Sequence, residues 1–405
     1  MSVPPLNPGL FHLDPFHLWV MHCSEGPVPR AVVKGVRDWL HKELLPWEVR
    51  WQEDFLGMPE AVRGAGAAVL GCRPEDISLT PTTSSGLVTV AQAYPWRAGD
   101  EVLVPLGEFP SNVYPWKALE SRGVSFREVP LWEGQKAGSR AWEGAPPPSG
   151  EDFEARILKS LGLRTRMVAL SWVRFQDGLK LDLGRLGAAC AERGVFLTVD
   201  GIQGAGTATP DLSHVSAFAT GGHKGLLAPQ GLGLLWTHPD FRPLLTPSGT
   251  WLSVEGGTEF ARASTDHDRS WMEDGRRLEP GSPNLMACAG LRESLELLSE
   301  AGVEAIAAHV RRMQDHFLGA LKGVPAWREE AYRLRDLLER DRLGPILALH
   351  HGGRGPEALQ ELLTQGVHRG IYASVREGYL RIAFHGWHEE EDIPRLAGWL
   401  SGTSS

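Results

Sequence analysis

The chain has 405 residues, of which 42% are hydrophobic and 22% charged, enough for a large domain and a smaller one rather than a single small core. A formal charge of −9 argues against nucleic acid as a partner, because phosphate binding wants a basic face. No run of eighteen uninterrupted apolar residues offers a membrane span, and Met1-Ser2-Val3-Pro4-Pro5 lacks the basic and apolar regions of a secretory signal.

A first helix is expected over residues 28–47, where Val32, Val33, Val36 and Leu40 recur at helical spacing. A second, over 59–70, ends near Gly71. Asp76–Thr80 reads as a strand and Ser84–Tyr94 as a helix. Glu101–Pro105 and Val124–Val129 read as strands. Residues 132–150, rich in Gly and Pro, read as a loop. A strand (Met167–Trp172), a helix (Leu181–Arg193) and a strand (Val195–Asp200) follow. This alternation predicts an α/β fold, a mostly parallel sheet covered by helices on both faces. Beyond Asn284 a helical region, Leu285–Leu321, is expected to break at Gly302. After it come a strand at Gly344–Leu349, a helix near 356–365, short strands around Ile371 and Leu380, and a final helix from about Glu390. The expected division is a large domain over 1–284 and a small α+β domain over 285–405.

The four cysteines (Cys23, Cys72, Cys190, Cys288) are far apart and form no C-x-x-C pair. They fit a reduced, cytoplasmic chain in which thiols behave as buried hydrophobes, with no metal site expected.

Lysine is scarce, eight residues against thirty-three arginines, and Lys224 has an unusual setting. It lies in Thr220-Gly221-Gly222-His223-Lys224-Gly225, a stretch with no other lysine, arginine or acid. Twenty-four residues earlier the apolar run Val195–Val199 leads straight into Asp200. An acid at the end of a buried strand and a lysine on the next glycine-flanked turn suit a pyridoxal 5′-phosphate enzyme. There the amine condenses with the cofactor aldehyde, and the carboxylate keeps the pyridine nitrogen protonated so that the ring draws electrons. A surface lysine and a loop-capping aspartate are the alternative that these two residues alone leave open. Thr80-Pro81-Thr82-Thr83-Ser84-Ser85-Gly86 sets hydroxyls at a helix start, where free N–H groups favour phosphate, or where one hydroxyl simply caps the helix.

The run from Arg166 to Gly233 resembles the class V aminotransferase family, the fold-type I pyridoxal-phosphate group that includes cysteine desulfurases, kynureninases and isopenicillin N epimerase-like proteins. Its D-x-x-Q-x-x-G pattern is matched by Asp200, Gln203 and Gly206, and its H-K by His223-Lys224 before Gly231-Leu232-Gly233. The resemblance implies that Lys224 carries the cofactor, Asp200 contacts the pyridine nitrogen, Gln203 the ring hydroxyl and His223 the phosphate. It also favours Thr83 and Ser84 as phosphate ligands and Phe109 as the side chain stacked on the ring. Val375-Arg376-Glu377-Gly378-Tyr379-Leu380-Arg381-Ile382 resembles the family's carboxylate-binding strand. Arg381 is thus expected to hold the substrate carboxylate with Arg376 in support, unless Arg381 pairs structurally with Glu389–Glu391 or Asp392. Gly249-Thr250-Trp251 falls where relatives offer a loop to a neighbouring subunit, which implies a homodimer.

Three positions depart from the pattern: Gly221 replaces a phosphate-binding serine, Trp172 an asparagine, and Gly225 a bulky residue. Segment 350–380 has no cysteine, which argues against a desulfurase, and Asp200-Gly201-Ile202-Gln203 lacks the kynureninase D-x-A-H. The expected activity is transamination of a small amino acid. An epimerase-like racemase or a C–S lyase is the alternative, and a non-catalytic cofactor-binding protein a more distant one.

Overall fold

The computed structural model describes residues 3–402. Its strands, in chain order, are β1 (Leu18–Trp19), β2 (Ile77–Thr80), β3 (Glu101–Pro105), β4 (Ser125–Val129), β5 (Thr165–Ser171), β6 (Phe196–Asp200), β7 (Ala217–Gly221), β8 (Gly233–Thr237), β9 (Ile346–His350), β10 (Ile371–Tyr372), β11 (Ser374–Arg376) and β12 (Tyr379–Ala383). Seven of them form one sheet in the order β2-β8-β7-β6-β5-β3-β4. The links from β7 through β6, β5 and β3 to β4 are parallel, and β8 alone runs the other way. The expected α/β architecture is therefore present. The central strands are continuous apolar runs because helices cover both faces; β7 and β8 are buried at every position.

Helix α1 (Arg30–Glu43) stops earlier than its apolar spacing suggested. Pro46 disfavours helical backbone at the residue before it, and the chain enters a 3₁₀ turn at Pro46–Glu48 instead. Helix α2 (Gly57–Leu70) ends on Gly71, whose φ of 69° closes the last turn. Helix α3 (Thr83–Ala93) starts on Thr82, whose hydroxyl accepts from Ser85 N at 3.0 Å. The long helical region divides at Gly302 (φ 79°) into Leu285–Ala301 and Val303–Leu321, as its sequence predicts. Two α-helices longer than four residues escaped the sequence reading, Phe153–Lys159 and Arg328–Glu339. The second is mostly charged, yet Ala331, Leu334, Leu337 and Leu338 bury one helical stripe. Strand β7 was missed too, since Ala-Phe-Ala-Thr-Gly shows no alternation.

A second, antiparallel sheet has the order β11-β12-β9. The N-terminal segment joins this side of the molecule: β1 pairs in parallel with β10, and Ala383 N donates to Val20 O at 2.8 Å. That stitching sets the turn at residues 21–25 beside the carboxyl ends of the large sheet. No helix among the described residues is long and apolar enough to cross a membrane.

Candidate active site

The six strands of the large sheet that share one direction point their carboxyl ends at one region, the place where open α/β sheets bind ligands. A cavity of about 340 Å³ opens there. All nine residues expected at the site line it: Thr83, Ser84, Phe109, Asp200, Gln203, His223, Lys224, Arg376 and Arg381. They come from the ends of β2, β3, β6 and β7 and from the β11–β12 hairpin.

Asp200 ends β6, 3% exposed, and the one hydrogen bond to its carboxylate among the described residues comes from Ile202 N at 3.0 Å. Burial pushes its carboxyl up to about 6, opposed by the Ile202 amide and Lys224 and aided by Glu108. Lys224 follows β7 in a half-buried position. Burial lowers its ammonium from the usual lysine range, opposed chiefly by Asp200, and no side chain among the described residues hydrogen-bonds it. Its Nζ lies 5.8 Å from the Phe109 ring centroid. Phe109, 42% exposed, meets Phe175 edge-on.

The hydroxyl cluster resolves into separate roles. Thr82 caps α3, which leaves the buried Thr83 Oγ1 with no partner among the described residues. Ser84 Oγ bonds Ser111 Oγ at 2.7 Å. A Cβ placed on Gly221 would lie 3.0 Å from Thr83 Oγ1 and 3.3 Å from His223 Nδ1, so these two polar atoms flank the space that a serine there would enter. Burial and Lys224 both hold the His223 imidazole below its usual value. Gln203 Nε2 donates to Cys23 O at 3.0 Å.

Arg381 is 2% exposed and has no acidic partner among the described residues. Its Nε and Nη2 donate to Ser374 Oγ (3.1 and 2.9 Å), its Nη1 to Phe175 O (2.6 Å), and its Nη2 also to Ser24 Oγ (3.0 Å). The alternative pairing with Glu389–Glu391 or Asp392 is thus absent. A buried guanidinium held only by neutral acceptors is short of an anion.

Residues 51–395 match the family model of the class V aminotransferases. The chain belongs to that family. Isopenicillin N epimerase of Streptomyces clavuligerus is 28% identical over 408 residues, spanning 97% of this chain and 96% of the epimerase. A probable cysteine desulfurase of Methanothermobacter thermautotrophicus is 28% identical over 316 residues, 76% of this chain and 73% of that protein. Among solved structures, the cystine C–S lyase C-DES complexed with its reaction product cysteine persulfide superposes with a TM-score of 0.80. It is 22% identical, and the match covers 98% of this chain and 100% of that one, a likeness of fold.

As a class V aminotransferase-family member the chain is a pyridoxal-phosphate-dependent enzyme. Its residues fit that group. Among the described residues Asp200 has no cation within ion-pairing distance and Thr83 Oγ1 no hydrogen-bond partner, and an amine stands across from a flat aromatic face. A heteroaromatic ring with a protonatable nitrogen and an anionic arm answers all three.

Two departures have structural reasons. A Cβ on Gly225 would meet Ala205 O at 2.3 Å, so this backbone excludes the bulky residue many relatives carry. Trp172 packs against Gly204, where a Cβ would lie 2.5 Å from its ring, and it does not line the cavity. Sequence reasoning missed Cys23, Ser24, Ser111, Phe175 and Ile202 in the lining. It also missed Glu108, a buried carboxyl that accepts from Ser171 N at 2.9 Å. No local motif marks Cys23 and Ser24; the pairing of β1 with β10 delivers them.

Proposed function

We propose that this enzyme binds a small α-amino acid by its carboxylate, removes the Cα proton with Lys224 and completes a transamination. The observation that carries the reading is the placement of Lys224 Nζ across from the Phe109 ring, 5.8 Å from its centroid. Phe109 has no exchangeable proton, so a planar group held between them exchanges protons on the lysine side. One-sided transfer suits transamination, in which one base lifts a proton and returns it nearby.

When bound, pyridoxal phosphate supplies an aldehyde for condensation and a ring that draws electrons away from Cα. Asp200 would hold the ring nitrogen, Gln203 the ring hydroxyl, and Thr83, Ser84 and His223 the phosphate. Phe109 would cover one ring face. Burial lowers the Lys224 ammonium, which raises its share of free amine near neutral pH. Arg381 offers its remaining N–H and Ser24 its hydroxyl to the substrate carboxylate, fixing which Cα bond meets Lys224. Arg376 stands beside them. The reading includes a homodimer, a cytoplasmic location, and a large domain over 1–284 followed by a small one over 285–405. The clustered, partly exposed rings of Trp51, Phe55, Trp251 and Phe260 support the subunit contact.

Epimerisation is the second reading. The end-to-end match with isopenicillin N epimerase favours it, as does the Cys23 thiol, a second proton carrier within electrostatic reach of Lys224 and Arg381.

The deciding experiment incubates the enzyme with single L-amino acids and a keto acid, reading amino transfer, chirality and sulfide. Amino transfer is expected. D-enantiomer without transfer would establish the epimerase, and sulfide release the C–S lyase. Borohydride should fix the cofactor to the wild-type chain and fail with Lys224→Ala; an adduct persisting in that variant would place the attachment elsewhere.

A further inference from the structure

We propose that Arg376 makes the site selective for amino acids carrying a second, distal anionic group, the dicarboxylic class. This rests on the reading of the cavity as an amino-acid site and deepens it.

The hairpin register puts both arginines on one face. Ser374 opposes Arg381 and Arg376 opposes Tyr379, and residues two apart on a strand share a side. The turn between them is tight: Glu377 (φ 47°) and Gly378 (φ 87°) are both left-handed, as in two-residue hairpin loops. Glu377 makes no ion pair with Arg376 among the described residues; the cation that acts on its half-buried carboxyl is Arg174. Arg376 lines the cavity and is exposed, with no side-chain hydrogen bond or ion pair among the described residues. Both guanidinium groups border the same cavity from the same hairpin face, the charge of Arg376 acts on Arg381, and no acid among the described residues pairs with either. Asp200 is the one acid in the lining, and it belongs to the Lys224 end.

The donors divide accordingly. Arg381 is enclosed by Ser24, Ser374 and Phe175 O and can take one carboxylate with the help of the Ser24 hydroxyl. Arg376 keeps all five N–H donors free, a planar fork suited to bidentate recognition of another carboxylate. Two cations lining a cavity of about 340 Å³ that must also admit the cofactor suit a short substrate with an anion at each end.

The test compares kcat/KM for glutamate and aspartate with that for alanine in the holoenzyme, alongside calorimetric binding of glutarate and butyrate. The wild-type protein should prefer the dicarboxylates in both measurements. Arg376→Gln should lower the glutamate-to-alanine ratio by about 10- to 100-fold, the range for a charge-assisted hydrogen bond. Arg376→Lys, which keeps charge without the fork, should retain part of the preference. A ratio that Arg376→Gln leaves unchanged, or falls that are equal for both substrates, would overturn the assignment and put Arg376 on the shared carboxylate. If no amino acid alters the cofactor absorbance, the amino-acid reading fails and this inference falls with it. If amino acids do alter it without charge preference, this inference alone fails.

Discussion

Thr83 Oγ1 stands 3.0 Å from the point that a Cβ on Gly221 would occupy, and it has no hydrogen-bond partner among the described residues. On the proposed reading, the first turn of α3 would supply from Thr83 the hydroxyl that position 221 lacks. A buried hydroxyl without a partner costs about 1–3 kcal/mol, a cost that an anionic ligand would offset. Thr83→Ala should therefore weaken pyridoxal phosphate binding about tenfold, read by titrating the cofactor-free protein. Adding Gly221→Ser to Thr83→Ala should recover much of the loss, since the clash partner is gone. If Thr83→Ala binds the cofactor as tightly as the wild type, the replacement is not occurring.

Arg381 tests the substrate end. Its guanidinium is buried against three neutral acceptors, so Arg381→Gln strips the cavity of its one deeply buried cation. KM for amino acids should rise at least tenfold while cofactor absorbance and borohydride fixation persist. An unchanged KM would move the carboxylate to another group. Ser24→Ala should give a smaller rise of the same kind, because its hydroxyl, held by Arg381 Nη2 at 3.0 Å, would bridge that guanidinium and the carboxylate.

Much of this was readable along the chain. Where chemistry follows from local order, as in Asp200 closing an apolar strand and His223-Lys224 opening a glycine-rich turn, the residues announce themselves. The central sheet was readable for the same reason, since a strand buried on both faces is a short apolar run. Ser24 and Cys23 were not readable, because they reach the cavity through pairing between β1 and β10, residues hundreds of positions apart. Gly225 was noticed as a departure, but its cause, the backbone of Ala205, is a tertiary contact. The capping of α3 was ambiguous because Thr82, Thr83 and Ser84 are all good caps. Only the backbone path decides that Thr82 bonds Ser85 N and that Thr83 is left over.

Asp200 gives a pH prediction for the cofactor-free protein. Its folded carboxyl, raised to about 6 mainly by burial, holds its proton more tightly than the unfolded chain with its ordinary value of 3.8. That stabilisation is complete below the unfolded value and is lost as pH rises to about 6, where an ionised carboxylate is left buried with no ion pair among the described residues. The difference of roughly two units corresponds to about 3 kcal/mol. Denaturant unfolding at pH 4 and pH 7 should show that loss in the wild-type protein relative to Asp200→Asn. Adding pyridoxal phosphate should restore stability at pH 7 in the wild type and much less in the variant. Parallel pH profiles for the two proteins would contradict the raised carboxyl.

The backbone around Lys224 is fixed by contacts that leave no room for side chains. A Cβ on Gly225 would lie 2.3 Å from Ala205 O, and one on Gly206 would lie 2.2 Å from Gly225 O. His385 Nε2 also bonds the Gly225 carbonyl at 2.9 Å from the buried C-terminal side. The lysine turn is therefore clamped between the D-x-x-Q-x-x-G segment and the segment following β12. Gly225→Trp, which restores the residue frequent among relatives, should destabilise the protein by roughly 2–3 kcal/mol, because backbone oxygen cannot give way as a flexible side chain can. Gly64→Ala is the opposite case: it lies exposed in helix α2 with nothing within 4 Å of the added Cβ. It should raise stability by about 0.5–1 kcal/mol through helix propensity. Thermal melts of the two variants should move in opposite directions. A Gly225→Trp protein melting with the wild type would mean that the turn can shift away from Ala205, and that the position of Lys224 is less constrained than these contacts require.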